Sequence, residues 1–130
     1  MNPGQIEQRL RAQIEGEVRF DRVSRALYST DASVYQIEPI GVVVARNRDD
    51  IIRTVRICYD LGCPLTLRGG GTSQAGQAIG PGVILDTSKH VNRLLAVDPG
   101  RLTARVEPGI VLDELNAQLK PHGLRFAPDI

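Results

Sequence analysis

The sequence has no Trp, one Met, two Cys, three Tyr and two Phe in 130 residues. Aromatics at 4% count against a stacking platform for single-stranded nucleic acid, whose bases sit on aromatic faces. An excess of either charge is missing too. Lys plus Arg number 16 and Asp plus Glu 15, a net charge of +1, which gives no argument for a nucleic-acid or anionic-membrane partner. The longest uncharged apolar run, residues 40–45, is far too short to span a bilayer. The opening Met1-Asn2-Pro3-Gly4-Gln5 lacks the basic-then-apolar pattern of a signal peptide, so a cytoplasmic location is the expectation.

Cys58 and Cys63 are the whole cysteine complement, and His90 and His122 stand alone far along the chain. Two thiols without further ligands cannot hold a zinc ion or an iron–sulfur cluster, so no metal site is expected. The two read as buried structural thiols, with a disulfide or metal pair a distant alternative. Lysine is absent before Lys89, which excludes a Walker phosphate loop in the first two-thirds of the chain.

What the chain does have is 42% apolar residues and 13 glycines. A single domain of this length buries roughly two-thirds of its unfolded surface. The glycines concentrate in Leu67-Arg68-Gly69-Gly70-Gly71-Thr72-Ser73-Gln74-Ala75-Gly76, directly after the apolar run Pro64-Leu65-Thr66-Leu67. Glycine adopts positive φ without steric cost and lets a ligand approach the backbone. Such a run can curl so that successive N–H groups face one concavity, a nest for an anion such as phosphate. Thr72 and Ser73 add hydroxyl donors, and Arg68 a positive charge. The same composition also spells an ordinary flexible turn. The Rossmann fingerprint fails, because counting from Gly69 and Gly71 its third glycine is Gln74.

Along the chain, Ile6, Leu10 and Ile14 mark a thin helical stripe, with Asn2 as cap and Gly16 as stop. Residues 22–35 show no clean period and read as irregular, with Tyr28 and Tyr35 packing. Gly41-Val42-Val43-Val44-Ala45 reads as a strand buried on both faces. Asn47 caps the next helix, Asp49 and Asp50 fill its first turn, and Ile51, Ile52, Val55, Cys58 and Leu61 form its apolar face. Residues 64–67 make the following strand. The glycine loop then leaves the carboxyl end of a strand–helix–strand unit, where ligands of open α/β sheets sit. Val83-Ile84-Leu85 is a third buried strand. Residues 94–97 and 102–106 form two strands joined by Asp98-Pro99-Gly100-Arg101, where Pro99-Gly100 fits a type II turn and a wide loop or bulge is expected. Val111, Leu112, Leu115 and Leu119 mark a last helix. The fold class is α+β: a small parallel β-α-β sheet, then the start of an antiparallel sheet with flanking helices. Residues 1–35 form a lead-in and residues 36–130 the N-terminal portion of a domain truncated at its C-terminus.

Arg68-Gly69-Gly70-Gly71-Thr72-Ser73-Gln74-Ala75-Gly76-Gln77 resembles the pyrophosphate loop of the flavin domain in the vanillyl-alcohol oxidase and p-cresol methylhydroxylase family. Residues 41–46 with Asp49-Asp50-Ile51, then Leu85-Asp86-Thr87-Ser88, Val91-Asn92-Arg93-Leu94, Val106-Glu107-Pro108-Gly109 and Phe126-Ala127-Pro128-Asp129, fit the same pattern. Within it the chain is most similar to glycolate oxidase and D-lactate dehydrogenase flavoproteins, where Tyr28, Asp31-Ala32-Ser33 and Tyr35 also fit. The resemblance implies FAD, its diphosphate held by Gly69, Gly70, Gly71, Thr72 and Ser73, with Gln74 and Gly76 completing the loop and Ser88 and Pro128 along the flavin. Arg68 either contacts FAD or only anchors the loop through a salt bridge. Some members attach FAD through a His at the position of Thr72, so attachment here is non-covalent. The resemblance further implies an oxidoreductase of a 2-hydroxy acid whose chemistry lies in a missing remainder, the partner of this chain. The alternative is a non-catalytic module that kept the fold and binds a nucleotide, a partner or nothing.

Overall fold

The computed structural model describes residues 2–128; Met1, Asp129 and Ile130 lie outside the described residues. Helix α1 (Pro3–Gln13) starts where Asn2 accepts hydrogen bonds from the amides of Gly4 and Gln5, at 3.1 and 3.3 Å. Its buried Ile6 and Leu10, with Ile14, reach the main core, so the stripe is integral to that core.

Strand β1 (Glu17–Arg19) pairs antiparallel with β2 (Gly41–Val44). Between them runs α2 (Arg22–Leu27), whose N-cap Asp21 accepts from the Ser24 amide at 2.8 Å. This corrects the irregular reading for residues 22–27; residues 28–35 form no helix and carry only an isolated bridge at Thr30. The helix is short and presents Val23 and Leu27 outward, so its apolar residues carry no period.

Helix α3 (Arg48–Asp60) is capped by Asn47, which accepts from the Asp50 amide at 2.9 Å. Its inner face differs from the expected one. Asp50, Thr54, Ile57 and Cys58 are buried, whereas Ile52 and Val55 are 44% and 45% exposed. Two polar residues hold the inner face because their groups are satisfied there. Thr54 donates to the Asp50 carbonyl at 2.7 Å, and the Asp50 carboxylate accepts from the amides of Glu15, Gly16 and Arg46 at 2.9, 2.9 and 3.0 Å. That carboxylate ties the end of the first helix to the turn after β2.

Strand β3 (Leu65–Arg68) follows, then β4 (Val83–Asp86). The sheet order is β1-β2-β4-β3, with β4 parallel to both neighbours. The last strand thus inserts between the two formed before it. Every residue of β2 and β4 is buried, as a doubly covered strand requires. One core lies between this sheet, α1 and α3, and a smaller cluster of Val42, Val44 and Ile84 packs with Tyr28 on the other face.

A second layer is built from β5 (Leu94–Asp98), β6 (Thr103–Val106) and α4 (Leu112–Leu119). The hairpin carries a bulge between Leu94 and Ala96. Its loop is not a type II turn: Leu102 takes the left-handed conformation at φ 55°, and Gly100 does not. The Asp98 carboxylate accepts from the Arg101 amide at 3.1 Å and sets the turn instead. The unit is tied to the main sheet through buried Val91, which donates to Thr87 and accepts from the Gly109 amide. Cys58 and Cys63 are buried free thiols, and burial beside Cys63 pushes the Cys58 thiol up to about 12.

Candidate functional site at the glycine loop

Leu65 to Arg68 of β3 pair in parallel register with Val83 to Asp86 of β4, so both strands end at one edge. The glycine loop leaves that edge from Arg68. Gly71 and Gly76 take positive φ, 69° and 76°. Among the described residues, the amide N–H groups of Gly69, Gly70, Gly71, Thr72 and Ser73 find no protein acceptor. A methyl group built on Gly69 would meet nothing within 4 Å, and one on Gly70 only the Thr72 methyl at 3.5 Å. The loop is therefore open around Gly69 and Gly70, with backbone N–H groups that no group among the described residues accepts. Unpaired donors at the carboxyl end of parallel strands fit an anion such as a diphosphate.

Two loop side chains divide their labour. The Ser73 hydroxyl is used internally: it accepts from the amides of Ala75 and Gln77 at 3.2 and 3.1 Å and donates to Gln77 at 3.2 Å. It shapes the turn, and its backbone N–H remains free. Thr72 lies beside it at the surface, as does Gln74. Gly76 backs onto Tyr35, and a methyl group added there would stand 3.0 Å from the ring.

Arg68 lies under the loop. Its Nη1 donates to the carbonyls of Thr30 and Ala78, at 2.9 and 3.2 Å, and its guanidinium sits 5.1 Å from the centre of the Tyr28 ring. A methyl group on Gly71 would collide with that guanidinium. The expected anchoring through a salt bridge is corrected: the partners are backbone carbonyls and an aromatic face.

The lead-in segment closes around the same loop. The Ala32 amide donates to the Gly71 carbonyl at 3.1 Å. The Asp31 carboxylate accepts from the amides of Ser33 and Ala78, at 2.9 and 3.3 Å. Its hydrogen bonds, those from Ser33 foremost, together with the Arg68 charge, hold Asp31 below the usual carboxylate range. Tyr28 donates to buried Asp86 at 2.5 Å. Burial, then the hydrogen bond to Asp86, pushes its phenol up to about 12. Periodicity has no means of finding Tyr28 and Asp31 as supports of the loop. The signal available is the polar string Thr30-Asp31-Ala32-Ser33, whose Asp is suited to turn formation.

Ser88 stands just past β4, its amide and hydroxyl both donating to Asp86 at 2.7 Å. Pro128 lies elsewhere, with Leu112, Asp113 and Asn116 of α4, around a cavity of about 350 Å³ in which the glycine loop takes no part. Asn116 fixes that segment by exchanging two hydrogen bonds with the Phe126 backbone. Among the described residues, no group of three His, Cys, Asp or Glu is placed to hold a metal ion, and no helix is long and apolar enough to cross a membrane.

Comparison with known proteins bears on the family and the fold. A family model described as FAD binding domain matches residues 39–130. The chain is 39% identical over 121 residues to D-2-hydroxyglutarate dehydrogenase of Pseudomonas putida, covering 88% of this chain and 12% of that protein. It is 35% identical over 121 residues to glycolate oxidase subunit GlcD of Bacillus subtilis, covering 90% of this chain and 26% of that one. The chain thus spans only a small part of these relatives. The solved structure of p-cresol methylhydroxylase with substrate bound superposes with a TM-score of 0.77 at 22% identity, over 93% of this chain and 25% of that one. The α+β fold is therefore the one that the sequence resemblance implied. With a family model described as FAD binding domain spanning most of its length, the chain belongs to that family, and FAD is its cofactor.

Proposed function

We propose that this chain supplies the diphosphate-binding part of an FAD-dependent oxidoreductase acting on a 2-hydroxy acid of the D-2-hydroxyglutarate, glycolate or D-lactate kind. The observation that carries the reading is the row of unaccepted amides at residues 69–73, open on one side, in a chain of the FAD binding family. The substrate class is supported by the relatives named as D-2-hydroxyglutarate dehydrogenase and glycolate oxidase subunit.

In this reading the N–H groups of Gly69, Gly70, Gly71, Thr72 and Ser73 donate to the diphosphate, and the Thr72 hydroxyl adds a donor. Gln74 and Gly76 bound the far side of the loop. Ser88 and Pro128 lie along the flavin. Arg68 holds the loop from behind. When bound, FAD supplies the acceptor for the hydride removed from the alcohol carbon. This chain binds and orients the cofactor, and no catalytic residue is assigned to it. Thr72 offers no imidazole, so FAD is held non-covalently at this loop. Residues 1–35 act as the lead-in and 36–130 as the N-terminal portion of the flavin domain, whose partner is the remainder of the flavoenzyme. The free thiols suit the reducing cytoplasm, and the balanced charge suits a protein without a nucleic-acid partner.

The test is an FAD titration followed by amide NMR, with riboflavin as control. Amides of residues 69–73 shift with FAD and stay in place with riboflavin. Equal shifts with both ligands, or shifts confined to other residues, would remove the diphosphate from this loop.

A further inference from the structure

The groups that hold the glycine loop lie largely outside it. Arg68 joins the carbonyls of Thr30 and Ala78, Asp31 accepts from Ala78, and Ala32 donates to Gly71. Both ends of the loop are thus hydrogen-bonded to three consecutive residues of the lead-in segment. That segment precedes residue 39, where the family match begins. Tyr28 completes the arrangement, with its ring beneath the guanidinium and its hydroxyl on Asp86 at the end of the central strand. The guanidinium occupies the side of Gly71 where a side chain would stand, while Gly69 and Gly70 keep that direction free.

We infer that Arg68 and the lead-in residues Tyr28, Thr30, Asp31 and Ala32 form a brace that holds the loop in its anion-receiving shape, with Arg68 a positioning residue and not a ligand of the diphosphate. The inference rests on the diphosphate reading above. It also moves the functional boundary: the lead-in is part of the cofactor-binding unit. Both carbonyl bonds leave Nη1, so what lysine, a point charge, cannot reproduce is the flat guanidinium that lies over the Tyr28 ring and beside Gly71. A direct diphosphate contact would also weaken with lysine, because the forked geometry is lost, but it would leave the ligand-free loop unchanged.

The experiment uses the complete polypeptide that carries this chain. FAD affinity is measured for Arg68→Lys, Asp31→Ala and the double variant, alongside hydrogen exchange of residues 69–78 without ligand. Each single change is expected to lower affinity about tenfold, and the double to be no more than about twofold weaker than the weaker single, since both remove one brace. Exchange in the loop accelerates in each variant while β4 amides stay protected. Wild-type affinity in Arg68→Lys, losses that multiply in the double variant, or unchanged loop exchange would each overturn the brace. The exchange measurement needs no ligand, so it judges the brace even where FAD proves to bind elsewhere.

Discussion

The Tyr28 hydroxyl donates to the Asp86 carboxylate at 2.5 Å, joining the residue after α2 to the last residue of the central strand. The phenol loses its proton at about 12 in the folded chain, against an ordinary value of 10.0, because burial and Asp86 both oppose the phenolate. The folded value is the higher one. The stabilisation it brings is therefore complete below pH 10 and is lost as pH rises from there through 12. A difference titration of phenolate absorbance between the wild type and Tyr28→Phe isolates a group ionising near 12. Ionisation of that group at the ordinary tyrosine value would show that the pair does not persist in solution.

Gly70 and Gly71 are neighbours with different tasks. Gly70 has open space where a side chain would go, and its φ is not left-handed, so Gly70→Ala leaves stability within about 0.5 kcal/mol. On the proposed diphosphate reading the added methyl crowds the ligand, and FAD affinity falls about tenfold or more, a loss of about 1.4 kcal/mol. Gly71 has φ 69° and the Arg68 guanidinium against it. Gly71→Ala therefore costs roughly 1–3 kcal/mol of stability as well as affinity. Denaturation curves and FAD titration of both variants check this. Equal stability losses in the two would contradict the assignment of the close approach to Gly71.

Asp50 is wholly buried and accepts hydrogen bonds from three backbone amides of two separate turns. Asp50→Ala leaves those donors without their charged acceptor and lowers unfolding stability by on the order of 3 kcal/mol. Urea denaturation measures it. A change under about 1 kcal/mol would mean that water replaces the carboxylate without penalty.

Legibility of the fold follows local chemistry. The strands at residues 41–44 and 83–86 are visible in the sequence because burial on both faces demands an unbroken β-branched or aliphatic run. Helix starts at Asn2 and Asn47 are visible because a cap is a short-range bond. The inner face of α3 escapes a reading by periodicity because Asp50 and Thr54 occupy it, and their burial is satisfied by partners that no periodicity shows. Helix α2 escapes it because its apolar residues face outward.

The sequence by itself determined where the backbone could form an open loop, since glycines at residues 69–71 after a strand are a local property. It also determined, through its motifs, the family to which the chain belongs. Only the tertiary structure decided what Arg68, Tyr28 and Asp31 do. Their partners, the Ala78 and Thr30 carbonyls, the Asp86 carboxylate and the Ala78 amide, are brought together by the insertion of β4 between β2 and β3 and by the return of the lead-in over the loop. Such contacts join residues distant along the chain, and hydrogen-bonding groups reveal their partners only when packing has closed the distance.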